Sequence, residues 1–131
     1  MSEYIPFYIL LSITSALATR ELNVHYKLGA VRASALVSLS VGLLVYFLGE
    51  NTLYAGVAMG ASFAAMSNEK VMPSRLWMVV CSMIFGLLFV GISHSFFIGL
   101  GGRLGAVAAI SVVMTLGIMK VGMYINEKRK R

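Results

Sequence analysis

The residues with the most evident chemical potential are basic ones in places where an apolar sequence rarely carries charge. Arg103 follows Gly101-Gly102 and opens an apolar run that continues to Met119. Free N–H groups at a helix start, a guanidinium beside them and glycines that permit close approach together describe an anion site. Arg32 lies about one turn inside another apolar run, and Lys27 precedes it. Charge at that depth is costly enough to mark a functional position. The competing reading for all three is that they reach lipid phosphates or snorkel to the interface.

The remaining polar chemistry is sparse. His94 sits between Ser93 and Ser95, where a titrating imidazole could sense pH, and His25 falls in a different polar gap. Ser62 and Ser67 offer hydroxyls along an apolar segment that also carries Gly56, Gly60 and Ala64. Gly56, Gly60, Ala64 and Ser67 recur at helical spacing, a small-residue stripe that lets helices approach closely. Met119 and Met123 stand four residues apart, which would suit Cu(I), although methionine as packing filler accounts for them. Cys81 lies among apolar neighbours, so it reads as an inert small residue and permits no intrachain disulfide. There is no HExxH, no CxxC and no glycine-rich phosphate loop. The sequence therefore predicts neither an enzyme nor a bound cofactor or metal.

The elements that would position these residues are membrane helices. The chain has 131 residues, 59% hydrophobic and 12% charged, with a mean hydropathy of +0.85. Soluble domains of this size carry about twice that charged fraction. Apolar runs separated by charge predict five helices at about 4–19, 28–48, 52–67, 76–93 and 104–125, with a basic tail over 126–131. A span needs roughly 20 residues, and interfacial residues extend each run to that length. The expected fold is an all-α integral membrane protein forming a single transmembrane domain. Residues 94–102 are long enough to form a short re-entrant piece.

Charge sets the direction. Arg20 and Lys27 follow the first run, Lys70 and Arg75 precede the fourth, and the chain ends Lys128-Arg129-Lys130-Arg131. The alternate gaps hold Glu50 and Asn51 in one case and Arg103 as the single basic residue in the other. The positive-inside rule then places the N-terminus outside and the C-terminus in the cytoplasm, across a cell membrane of the bacterial inner-membrane type. The net charge of +6 is thereby explained by orientation and lipid headgroups, with no nucleic-acid partner implied.

Lys27-Leu28-Gly29-Ala30-Val31 and Arg103-Leu104-Gly105-Ala106-Val107 each join a basic residue to the same four residues at a helix start. One helix starts inside and the other outside, so helices 1–2 and 4–5 would form an inverted repeat about helix 3. No glutamate falls mid-span and aspartate is absent, which argues against the usual proton- or sodium-coupled antiport. The expected function is a small homo-oligomeric channel or simple carrier, most plausibly a dimer, for a small ion or solute. Anions are slightly favoured because the intramembrane charge is positive. Arg32 and Arg103 would attract the substrate, and the Gly/Ser face of helix 3 would line or seal the path. The alternative is a non-conducting membrane subunit or regulator that docks other helices through the same small-residue face.

Overall fold

A computed structural model describes residues 5–67, 70–92 and 102–130. It contains five helices in chain order: α1 (Ile5–Val24), α2 (Ala30–Leu48), α3 (Thr52–Ala64), α4 (Arg75–Ile92) and α5 (Arg103–Arg129). Among the described residues α2, α4 and α5 are long and apolar enough to cross a membrane. Every regular element among the described residues is a helix; with three such helices, and with Leu39, Leu44, Tyr46, Phe47, Val113 and Val121 all exposed, the chain has the character of a membrane protein.

α3 is the hub, touching each of the other four helices. α1 also packs on α2 and α4, and α4 on α5, whereas α2 and α5 do not meet. The centre is built from small side chains and a few large ones: Ala16, Val57, Ala58, Ala61, Ala64, Cys81, Phe85 and Val107 are buried. Without a hydrophobic drive between helices in lipid, close backbone approach and dispersion must supply the packing energy, and small residues permit it. Gly86 of α4 illustrates the fit. A Cβ there would stand 3.0 Å from Ser12 Oγ and 3.3 Å from Ile9 Cα on α1.

The short connections follow from local chemistry. Gly49 closes α2 in the left-handed region at φ 68°. Its N–H donates to Tyr46 O at 3.2 Å, and Glu50 N–H donates to Val45 O at 3.1 Å, satisfying carbonyls that the helix end would otherwise leave open. Two residues later Asn51 caps α3, its Oδ1 accepting from Leu53 N–H at 3.0 Å. α2 and α3 thus form a tight hairpin.

The helix ends differ from the sequence expectation in four places. α1 runs through Arg20 and Glu21 to Val24, because both charged side chains find partners across the bundle. α2 begins at Ala30, two residues later than expected, since Lys27 and Gly29 adopt positive φ of 49° and 87° and cannot lie in a right-handed helix. α3 stops at Ala64 after 13 residues, a length of about 20 Å that is shorter than a bilayer core of about 30 Å. α5 continues to Arg129 over 27 residues, about 40 Å.

Candidate functional site

The described interior holds hydroxyls and no charge. Ser12, Ser15, Thr19, Ser34, Ser62, Ser82, Ser111 and Thr115 are buried, and every helix contributes at least one of them. Most are satisfied by their own helix or a neighbour. Ser12 Oγ donates to Ser82 O of α4 at 2.9 Å while lying 2.8 Å from Ile9 O. Thr19, Ser111 and Thr115 donate to carbonyls four residues back, at 2.9, 2.7 and 2.7 Å. Ser15 is different: at 3% exposure its Oγ is the one buried side-chain oxygen without a partner among the described residues.

Between α2 and α3 three serines converge. Ser62 Oγ donates to Met59 O at 2.7 Å, so its single proton is committed. Ser34 at 2.8 Å and Ser38 at 3.0 Å must then both donate to the lone pairs of Ser62. Ser34 and Ser38 also line a lateral groove of about 530 Å³, whose other walls include Val31, Ala35, Leu39, Leu43, Met59 and Phe63.

The expected site residues do not gather. Arg32 is exposed in the first turn of α2, on the outer side of the bundle. Arg103 is half-buried at the start of α5, its guanidinium 5.7 Å from the Phe89 ring centroid in a cation–π contact. α2 and α5 do not touch, so the helix starts that carry the two arginines are not packed together. Gly102 caps α5. Gly101 and His94 lie outside the described residues, as does the segment expected to dip back into the membrane, apart from Gly102.

The expected small-residue face of α3 divides in two. Gly60 and Ala64 are buried and Gly56 is half-buried. A Cβ on Gly60 would fall 2.8 Å from Phe85 Cε2, and one on Gly56 would fall 3.7 Å from Phe89 Cζ. These glycines serve helix packing inside the chain, against α4. Ser62 points instead to α2, and Ser67 donates to Ala64 O at 2.8 Å just past the helix end.

Sequence reasoning missed a well-connected polar cluster at the end of α1. Arg20 Nη1 donates to Met72 O and Ser74 O, each at 3.0 Å, and Nη2 to Pro73 O at 3.4 Å. Next to it Glu21 receives Arg75 Nε at 2.8 Å, Arg75 Nη2 at 3.1 Å and His25 Nδ1 at 3.0 Å. The end of α1 is thereby fastened to the turn that leads into α4. The adjacent Arg20-Glu21 pair, opposite in sign at the end of a predicted helix, was the available signal.

Compared with known proteins, the chain matches no family model, no curated protein and no solved structure.

Proposed function

We propose that the chain is a small homo-oligomeric membrane channel or simple carrier for a small ion or solute. The observation that carries this reading is the hydroxyl-bearing, charge-free interior to which all five helices contribute, with the unpartnered Ser15 Oγ within it. A buried hydroxyl in a bilayer costs free energy unless something hydrogen-bonds to it, and a passing solute is such a partner. Hydroxyls and backbone carbonyls are also sufficient to coordinate a small ion. The preference for anions rests on Arg103, because Arg103 is half-buried whereas Arg32 is exposed.

Five crossings, with the N-terminus outside and the C-terminus in the cytoplasm, fit the charge distribution. Under that placement α3 would cross a locally thinned bilayer or be shielded by its neighbours. The helix contacts also favour an inverted repeat. Exchanging α1 with α4 and α2 with α5 leaves the set of touching helix pairs unchanged, with α3 as the fixed element. The shared Leu-Gly-Ala-Val strings are not in register with that exchange, since Gly29 caps α2 while Gly105 is the third residue of α5. The repeat reading therefore rests on the pattern of helix contacts and draws little support from those strings.

The alternative reading, a non-conducting subunit or regulator, draws on α5. Beyond Lys120 this helix has no covered residue, and Val121, Met123, Tyr124 and Ile125 are exposed. The α3 face is already used inside the chain, so a docking surface would lie on α5. Flux through proteoliposomes separates the two readings: the channel or carrier moves a small solute selectively, and the subunit moves none.

A further inference from the structure

We propose that the groove between α2 and α3 binds one acyl chain of an anionic phospholipid, with the headgroup phosphate held by Arg32. The inference rests on the bilayer placement and is independent of transport.

Apart from Ser34 and Ser38 the groove is lined by Gly and apolar side chains, and it begins at Val31, beside the N-terminus of α2. On α2 it runs from Val31 to Leu43, which at 1.5 Å per residue is about 18 Å. One leaflet of hydrocarbon is about 15 Å deep, half of a core of about 30 Å. A chain entering at Val31 would thus be accommodated to near its end at Leu43. The serines beneath it are mutually satisfied, so they present no unmet polar atom to a hydrocarbon tail.

Charge at one end selects the headgroup. Arg32 lies three and seven residues before Ala35 and Leu39, two groove residues, and so shares their face of the helix. It is exposed, and among the described residues it has no hydrogen bond or ion pair. Lys27, also exposed, precedes the same helix end. The nearest carboxylate in sequence, Glu21, is occupied by Arg75 and His25. A guanidinium fork at the mouth of an apolar groove is complementary to a phosphodiester whose tail fills that groove. At the opposite end the groove residues Gly42 and Leu43 offer no charge, which fixes the lipid's polarity: it belongs to the leaflet that holds the N-terminus of α2.

The test is native mass spectrometry of the full-length protein in detergent, titrated with phosphatidylglycerol or phosphatidylcholine of identical acyl chains. Wild type should prefer phosphatidylglycerol by about fivefold, the affinity equivalent of about 1 kcal/mol for one interfacial basic residue. Arg32→Gln should equalise the two lipids, Arg32→Lys should keep most of the preference, and Ala35→Phe should weaken both by filling the groove. Arg32 and Ala35 are exposed, and size-exclusion chromatography verifies that each variant remains folded. Equal affinities in wild type would overturn the proposal, as would a preference that survives Arg32→Gln or binding unaffected by Ala35→Phe. Free phosphate in millimolar excess should not displace the lipid; displacement would show that the phosphate alone is recognised and remove the acyl-chain site.

Discussion

Gly60 of α3 lies so close beneath the ring of Phe85 of α4 that a Cβ on it would stand 2.8 Å from Cε2 and 3.3 Å from Cε1. Phe85 is fully buried, so its ring has little room to yield. This contact joins the central helix to α4 at the level of the core.

Gly60→Ala should therefore destabilise the protein by about 1–3 kcal/mol, the range for overpacking a filled core, read as a lowered Tm in detergent. Phe85→Leu on the same background should restore part of the loss. Gly117→Ala, where nothing lies within 4 Å of the added methyl, should be neutral or slightly stabilising. Equal effects at the two glycines would show that the ring contact does not govern the packing.

The clamp at the end of α1 makes a separate prediction. Arg20→Met removes three hydrogen bonds to the carbonyls of Met72, Pro73 and Ser74 and should cost about 1–2 kcal/mol, less than fully buried charged bonds because water reaches this edge. Arg20→Lys should recover less than half, since an ammonium cannot reproduce the fork. Glu21→Gln should cost under about 1 kcal/mol, as its ion pairs are exposed. Protease sensitivity of the turn before α4 reports the loosening directly: faster cutting is expected in Arg20→Met and little change in Glu21→Gln.

Ser12 and Ser15 lie one turn apart and should respond in opposite ways. Ser12→Ala loses the bond to Ser82 O and should cost about 0.6 kcal/mol, the average for such bonds between membrane helices. Ser15→Ala deletes an oxygen without a partner and should leave stability unchanged or raised. If Ser15 serves a solute, the same variant lowers flux without lowering Tm. A fall in Tm at Ser15 matching that at Ser12 would mean its hydroxyl is structurally paired.

In the proposed channel or carrier, the preference for anions depends on Arg103. Arg103→Ala should reduce anion flux about tenfold or more, a change equivalent to 1.4 kcal/mol, while the protein remains folded. Arg103→Lys should retain much of the activity, because charge is kept while the stacking on Phe89 weakens. Anion flux unchanged in Arg103→Ala would remove this residue from the pathway.

The order of the five helices was legible because Arg20, Lys27, Glu50 and Arg75 punctuate the apolar runs. Gly56 and Gly60 recur at the spacing that close helix approach requires, but the Phe85 and Phe89 rings beside them on α4 were not legible. The continuation of α1 was not legible either, because Arg20 and Glu21 look like solvated charges until their partners, more than 50 residues away, are brought beside them. The exposure of Arg32 was equally hidden. Depth along a helix follows from counting residues, but rotation about its axis depends on which neighbours it meets, and those contacts are long-range. The same holds for Ser62, which shares a helix with the glycines yet turns to Ser34 and Ser38 on α2.

Solute flux from proteoliposomes containing the purified protein, measured against a panel of small anions, cations and neutral solutes, tests the central claim most directly. Selective flux well above that of protein-free vesicles is expected, with anions moving faster than cations of similar size. No flux of any solute, from protein shown to be folded and inserted, would contradict it and leave the subunit or regulator reading in its place.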